Sequence, residues 1–321
     1  MNKKSIFYLL LILCLCIACE SRIQQSFNLI SNIDSTPPKL NYIESQSPYS
    51  VEIVFDEILS DRDKIELTFN NEKISNFSVK TNIVKIFRKQ ALIAGNKYSI
   101  KIKVEDLNGN STFLESFVYT KNNNMADVLI SEISTKGTTK NCDKVELVVT
   151  KSGSLAGIVV SDGFNDNYED RCTLPDIYVN EGEFIVISFK DSNEESFKSE
   201  NKKGLSSNNG CVLVLDNPSY NAKILDCIIY SNNKSENSEG FASNKTLLTA
   251  KTLVSLGQWE NTYPLASAAV DTTCETSTRT INRKYSNNYY FVDTDSCEDF
   301  YVTVTSGDSF GYENNLEVYN N

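Results

Sequence analysis

Residues 127–163 read DVLISEISTKGTTKNCDKVELVVTKSGSLAGIVVSDG and contain three apolar runs separated by polar turns. In the second run, Val145, Leu147 and Val149 occupy alternate positions, with Glu146 between two of them. A period of two is typical of a β-strand with one buried face. The stretch therefore predicts the first three strands of a β-domain.

Three motifs in this stretch lie in a characteristic order: Ile130-Ser131-Glu132, Val145-Glu146-Leu147 and Ser161-Asp162-Gly163. Their order resembles the opening of the lamin-tail (LTD) domain, a small immunoglobulin-like β-sandwich of nuclear lamins and many bacterial envelope proteins. The resemblance implies hydrogen-bonding, structural roles for Glu132 and Glu146.

Two later segments continue the same resemblance. Residues 278–283 (TRTINR) fit a Ser/Thr-x-x-Arg strand, and residues 293–300 (DTDSCEDF) fit an Asp/Asn-rich turn that ends in Asp-Phe. Residues 305–308 (TSGD) replace the closing Pro-Thr-Pro-Gly of the family. The LTD resemblance covers about residues 126–312.

A second β-domain is predicted upstream of residue 122. Ile100, Ile102 and Val104 alternate with polar residues, and Asn108-Gly109-Asn110 is typical of a tight hairpin turn. Several short strands without a helical period indicate a sandwich. The segments 54–57 (VFDE), 94–98 (AGNKY) and 106–110 (DLNGN) resemble a bacterial Ig-like domain, which implies a spacer.

The first 19 residues determine the expected compartment. Lys3 and Lys4 precede an apolar run that is too short to span a bilayer but suits a signal peptide. The run ends in residues 16–19 (CIAC), which resembles a bacterial lipobox with Cys19 as the lipid attachment site. The alternatives are an uncleaved anchor and an ordinary secretory signal, and each of them also exports the chain.

Six cysteines remain after the signal and Cys19 are set aside, and an even number in an exported chain favours disulfides. Symmetry about Ser219 predicts the bridge Cys211–Cys227, since residues opposite each other in a hairpin approach closely. Sequence order favours the other two bridges, Cys142–Cys172 and Cys274–Cys297.

Charge and composition exclude several classes of function. The net charge of −11 becomes about −13 once Lys3 and Lys4 are removed, which disfavours nucleic-acid binding and attraction to an anionic membrane. The chain has no histidine, so triad catalysis and histidine-bound zinc are excluded. No glycine-rich nucleotide motif follows a strand. We therefore expect no enzyme, no nucleotide and no nucleic acid.

Two acidic clusters could offer oxygen ligands to Ca²⁺, the one cofactor considered. Both are also explained by turn formation and solvated charge. The candidate metal ligands are Asp162, Asp166, Asp170, Asp293 and Asp295.

Several aromatic residues are candidates for binding a sugar or a partner. Trp259, the only tryptophan, and Tyr263 could form a binding surface, although a buried anchor is the simpler interpretation of Trp259. The aromatic residues of segment 285–291 form either a packed hairpin or a binding face.

The sequence thus predicts an all-β protein with two tandem immunoglobulin-like β-sandwiches. The predicted regions are a signal peptide (1–18), an acylated cysteine and tether (19–35), an Ig-like domain (36–122), an LTD-like domain (126–312) and a tail (313–321). We expect a lipid-anchored protein of the bacterial cell envelope, on the outer-membrane surface or its periplasmic face. Its partners would be the membrane, through Cys19, and an envelope or host macromolecule. The alternative function is calcium-dependent or carbohydrate binding, and a third possibility is a carboxylate-based hydrolase.

Overall fold

The structure is a computed structural model that describes residues 34–138, 141–164, 171–189, 197–199, 204–219, 222–286 and 290–320. The predicted signal peptide, Cys19 and most of the tether lie outside these residues. The chain is mostly β, with 43% strand and 10% helix, which confirms the all-β prediction. It divides into two compact units, the second containing residues 118–320 and two short earlier segments, 45–50 and 88–98.

Eight strands lie between residues 40 and 119. They are β1 (Leu40–Ser47), β2 (Ser50–Phe55), β3 (Glu66–Phe69), β4 (Glu72–Lys73), β5 (Phe77–Lys80), β6 (Ile83–Phe87), β7 (Lys97–Glu105) and β8 (Ser111–Tyr119). They form two four-stranded sheets, with strand orders β1-β2-β6-β5 and β4-β3-β7-β8. A 3-10 turn covers Arg62–Lys64.

The alternating residues of these strands form the first core. In β7, Ile100, Ile102 and Val104 are fully buried, while the residues between them are partly or fully exposed. Ile53 and Phe55 of β2 are buried in the same way. The period-two pattern therefore predicted the inward faces of these sheets correctly.

The described residues from 127 to 302 form thirteen strands and one α-helix of the second unit. The strands are β9 (Asp127–Ser134), β10 (Asp143–Lys151), β11 (Gly153–Ser154), β12 (Val159–Asp162), β13 (Arg171–Thr173), β14 (Tyr178–Val179), β15 (Phe184–Phe189), β16 (Phe197–Lys198), β17 (Gly210–Leu215), β18 (Ile224–Ser231), β19 (Val270–Asp271), β20 (Ile281–Arg283) and β21 (Phe300–Val302). The helix α1 is Asn244–Ser255, and 3-10 turns cover Ser238–Gly240, Leu265–Ala268 and Cys297–Asp299.

Two sheets carry the core of this unit. The larger has the order β16-β15-β10-β9-β20-β21, and the smaller has the order β13-β12-β17-β18-β19. A two-stranded sheet, β11-β14, accompanies them. In the larger sheet Ile133 pairs with both Val145 and Ile281, and all three side chains are fully buried. The strand order brings β20, distant in sequence, next to the strand that opens the domain.

Residues 252–256 do not form a strand of the sandwich, because they lie in or directly after α1. Ser243 caps the helix: its side chain accepts a hydrogen bond from the Thr246 N–H. Leu247, Ala250 and Leu253 are buried at intervals of three residues, the spacing of one helical face. The helix packs on β17. Within the described part of the chain, no helix is long and apolar enough to span a bilayer.

The outer face of β10 is also buried, contrary to the expectation of one open face. Glu146 is 0% and Val148 3% exposed. We call residues 303–320 the closing segment; it lies over this face, and its Gly311 N–H donates a hydrogen bond to the Glu146 carboxylate. The period-two pattern failed here because an irregular segment, without periodicity of its own, covers the second face.

A charged residue, Arg283 of β20, lies at the centre of the second unit. Its side chain is 1% exposed, and it donates two hydrogen bonds to Asp226 of β18, at 2.9 and 2.7 Å. Its Nε donates to the Ile130 carbonyl at 2.7 Å, and the guanidinium lies 4.6 Å from the Phe300 ring centre. Asp226 in turn accepts the Ile130 N–H at 2.6 Å. The ion pair thus links strands of both sheets.

Replacing Arg283 by methionine, R283M, should destabilise the chain by about 3–5 kcal/mol, because it leaves the Asp226 carboxylate buried without its cation. The free energy of unfolding, from urea titration followed by circular dichroism, measures this. The double variant R283M/D226N should recover part of the loss, because it removes the charge and keeps an acceptor for the Ile130 N–H.

The matched control is K101M, which breaks the Lys101–Glu115 ion pair, whose side chains are 42% and 57% exposed. Exposed pairs contribute less than about 1 kcal/mol, so K101M should change stability little. Equal losses in R283M and K101M would contradict the role given to Arg283.

Candidate functional site

The acidic residues predicted as metal ligands do not come together in the described structure. Asp166 and Asp170 lie outside the described residues, and Asp162 ends β12. Asp293 accepts a hydrogen bond from the buried Arg283 at 3.1 Å, which explains its position without a metal. Asp295 has a left-handed backbone conformation, φ 53°, and burial raises the pKa of its carboxyl.

The acidic cluster that the structure does bring together is elsewhere. Carboxylate oxygens of Asp34, Glu57 and Asp106 lie within 4.8 Å of one another. Asp106 already accepts the N–H groups of Asn108 and Asn110, both at 2.8 Å, which braces the turn predicted there. Ca²⁺ takes six to eight oxygens, and these three carboxylates could supply at most six of them. This cluster could not be recognised from local spacing, because Asp34 and Asp106 are 72 residues apart.

Trp259 and Tyr263 do not share one environment. Trp259 is 3% exposed, and its indole N–H donates to the Ala268 carbonyl at 3.0 Å. Trp259 is therefore a buried anchor, as its simpler interpretation predicted, and cannot contact a ligand. Tyr263 is 63% exposed.

The predicted cross-strand position of Cys211 and Cys227 is wrong in register. Cys211 pairs with Ile229, and Cys227 with Leu213, because the ladder is centred beyond Ser219. The two cysteines are therefore diagonal neighbours on one face of the hairpin. Both are buried, and desolvation raises the pKa of both thiols.

Among the described cysteines, the structure contains no disulfide bond. Cys172 lies in β13, whereas Cys142 directly precedes β10 of the other sheet. The bridges Cys211–Cys227, Cys142–Cys172 and Cys274–Cys297 stay predictions, which depend on the compartment in which the chain folds.

Glu132 and Glu146 form a buried pair beneath the closing segment. They are register partners on β9 and β10, and both are 0% exposed. Glu132 accepts the Thr280 hydroxyl at 2.6 Å and the Ser309 hydroxyl at 2.7 Å. Glu146 accepts the Ser131 hydroxyl at 2.7 Å. These contacts agree with the structural role that the resemblance implied.

The pKa of both carboxyls is raised. Burial raises the pKa of Glu146 to about 8, and the negative charge of Glu132 adds to this shift. Burial also raises the pKa of Glu132, against the hydrogen bonds from Thr280 and Ser309. Near neutral pH, Glu146 therefore carries a proton, and the pair avoids two adjacent buried charges.

A third buried carboxyl, Glu275, was missed by the sequence interpretation. It accepts the Thr135 N–H at 2.6 Å and the Thr135 hydroxyl at 2.7 Å. Burial raises its pKa to about 7. It fixes the chain before β20 to the end of β9, and nothing in its sequence neighbourhood distinguishes it from a solvated glutamate.

A groove of about 470 Å³ opens beside the closing segment, and we call it the closing groove. One part of its lining comes from Val148 and Phe184, which are partners across β10 and β15. A second part comes from Tyr285 and Phe291, whose ring centres are 4.3 Å apart with a tilt of 38°. Tyr285 and Phe291 therefore pack against each other across a bridge and also line the groove, whereas Tyr289 lies outside the described residues.

The closing segment supplies the remaining part of the groove, with Glu313, Asn314 and Leu316. Glu313 and Leu316 are exposed, whereas Asn314 is 5% exposed. The groove is therefore composite: it exists only where the closing segment is held against the larger sheet.

A family model described as "TP_1001_2nd: protein second domain" matches residues 126–201 and 196–302, more than half of the chain. The chain belongs to the TP_1001_2nd family. The match runs from β9 to the end of β21, so Glu132, Glu146, Asp226 and Arg283 lie inside it. The closing segment lies after the residues that match the TP_1001_2nd model.

No curated protein matches this TP_1001_2nd chain. Among solved structures, it is similar to the N-terminal part of the bacterial S-layer protein SbsC (11% identity, 61% of this chain, 44% of that chain, TM-score 0.24). It is also similar to dimeric latent PorU from Porphyromonas gingivalis (13%, 64%, 19%, 0.20). A third is SGBP-B of the Bacteroides ovatus mixed-linkage glucan utilization locus, in complex with a mixed-linkage heptasaccharide (11%, 57%, 54%, 0.18).

The chain spans less than half of the S-layer structure and about a fifth of PorU. With TM-scores from 0.18 to 0.24, these similarities carry no argument about fold or function.

The raised carboxyl pKa values make stability depend on pH in a defined direction. Such a carboxyl has a higher pKa in the folded chain than in the unfolded chain. Its contribution to stability is complete at pH values below the unfolded pKa, and it is lost as the pH rises through the folded pKa. For Glu146 the window runs from 4.5 to about 8. The chain should therefore be less stable at pH 8.5 than at pH 5.5, with Glu146 contributing up to about 3 kcal/mol of the loss.

The variant E146Q tests this, since glutamine imitates the protonated carboxyl at every pH. Its melting temperature should fall less than that of the natural chain between pH 5.5 and 8.5. E115Q, at an exposed carboxylate, is the control and should keep the natural slope. A natural chain equally stable at both pH values, or a slope unchanged in E146Q, would contradict the burial argument.

Proposed function

We propose that this protein is a non-catalytic, lipid-anchored protein of the bacterial cell envelope. Its first unit serves as an Ig-like spacer, and its second unit is an LTD-like sandwich that presents a surface for adhesion, scaffolding or envelope interaction. The anchor is Cys19, and the outer-membrane surface is the favoured location.

The observation that carries the non-catalytic role is the use of buried charge in the second unit. Arg283 and Asp226 are hydrogen-bonded to each other and to β9. Glu132 and Glu146 hold the closing segment. Groups whose hydrogen bonds are made within the protein support rigid packing, and a reaction would require at least one of them to face a substrate.

Anchoring is supported by the sequence of residues 16–19, in which a small residue precedes Cys19. The acidic net charge of −11 supports the same arrangement. A chain repelled by anionic headgroups would require a lipid to remain at the membrane.

Protease shaving of intact cells tests the location. The natural chain should be cut by external trypsin and should carry a fatty-acylated Cys19 by mass spectrometry. The control C19A should lose the acyl mass and leave the membrane fraction. An unacylated natural chain, or one protected in intact cells and cut only after lysis, would contradict the surface-anchored proposal.

A calcium-dependent binder is the second candidate, and one observation favours it. The carboxylates of Asp34, Glu57 and Asp106 converge, and burial together with the charges of the other two raises the pKa of Glu57. A bound cation would relieve that repulsion.

Calorimetric titration of the full chain with CaCl₂ decides this candidate. Calcium binding should give saturable heat and raise the melting temperature, and both effects should be lost in E57Q. E115Q should behave like the natural chain. A titration without heat, at unchanged melting temperature, would remove the calcium candidate and leave the first proposal standing.

A further inference from the structure

Asn314, one of the residues that line the closing groove, is anchored to the larger sheet. The Nδ2 group of Asn314 donates to the carbonyls of Ser131 and Arg283, both at 3.0 Å. Two carbonyl acceptors fix the orientation of the amide, since only its nitrogen can donate to them. The Oδ1 atom of Asn314 is left buried without a hydrogen bond. Because this oxygen has almost no accessible surface, Asn314 shapes the groove without offering an acceptor to a ligand.

The charged group of the groove lining is the Glu313 carboxylate. Glu313 is exposed, and an ionised carboxylate only accepts hydrogen bonds. Among the described residues that line the groove, none is basic. An anionic ligand would therefore face Glu313 without a compensating cation, whereas a ligand rich in hydroxyl groups would donate hydrogen bonds to the Glu313 carboxylate.

The remaining lining is aromatic and aliphatic. Phe184, Tyr285 and Phe291 contribute ring surface, and Leu316, 68% exposed, adds an open apolar edge. Ring faces carry partial negative charge and attract polarised C–H groups. A sugar ring combines such C–H groups on its faces with hydroxyl donors at its edge. The volume of about 470 Å³ suits a short oligosaccharide segment.

We propose that the closing groove binds a neutral saccharide, with the aromatic pair Tyr285–Phe291 contacting a sugar face and Glu313 accepting sugar hydroxyls. This inference rests on the proposed role of the second unit as an interaction surface, and it names the class of ligand that this surface would bind. The closing segment is then part of the binding site, because it supplies Glu313, Asn314 and Leu316.

The test is saturation-transfer NMR on the purified full-length chain in detergent micelles. The probes are four neutral tetrasaccharides (cellotetraose, laminaritetraose, maltotetraose and chitotetraose), with tetralysine as a cationic probe and tetragalacturonate as an anionic one. At least one neutral tetrasaccharide should give a saturable signal, and tetragalacturonate should give none.

Two variants locate the binding. E313Q keeps the shape of an exposed residue and should weaken saccharide binding about tenfold or more, the loss expected for a charge-assisted hydrogen bond. F291A removes one ring of the aromatic pair and should abolish the signal. The matched control is Y312A, which removes a tyrosine that is 77% exposed and does not line the groove; its affinity should be unchanged. Melting curves verify that each variant is folded.

Three results would overturn the saccharide site: no signal from any neutral tetrasaccharide, a signal that E313Q leaves unchanged, or binding of tetralysine alone. The last result would make the groove a site for cationic ligands instead. Because the assay uses purified protein, its failure would not touch the envelope location, which shaving of intact cells decides separately.

Discussion

The contact between Arg283 and Asp226 constrains the whole second unit. A guanidinium with 1% exposure requires its charge and its donors to be matched, and Asp226 and Ile130 provide two of the partners. Those partners come from β18 and β9, so the two strands can occupy only the relative positions that satisfy the pair. The same guanidinium also holds the chain at residue 293, because Asp293 accepts a hydrogen bond from Arg283.

Much of the fold could be predicted from local periodicity. Alternation at Ile100, Ile102 and Val104 located β7, and the apolar run at residues 127–134 located β9. These predictions succeeded because successive side chains of a strand point to opposite faces, so that burial of one face produces an alternating apolar pattern in the sequence. The helix at residues 244–255 was missed, since its apolar residues, three apart, are few among polar ones and its last residues resemble a short strand.

The candidate site could not be predicted to the same degree, because its residues are far apart in sequence and an irregular segment covers them. The Glu132–Glu146 pair was recognised only through a resemblance, and its burial depends on Ser309 and Gly311, more than 160 residues later. Irregular segments have no periodicity that indicates which surface they cover. The predicted pairing of Cys211 with Cys227 was wrong for a local reason. The centre of the turn lies one residue from its expected position, and this shifts the cross-strand partner of each residue by two positions.

The closing segment has two structural effects on the larger sheet. The segment after β21 covers a face that the sheet would otherwise expose, and the same segment contributes one side of a concavity. Burial of Glu146 and exposure of Glu313 are two consequences of one packing arrangement.

The buried carboxyls also make folding an acid–base reaction. At neutral pH the folded second unit keeps a proton on Glu146, and Glu275, whose pKa is raised to about 7, is protonated in about half of the molecules. In the unfolded chain both carboxyls are ionised. Unfolding near neutrality therefore releases hydrogen ions into the medium. The heat recorded in a scanning calorimeter then includes the ionisation enthalpy of whichever buffer accepts them.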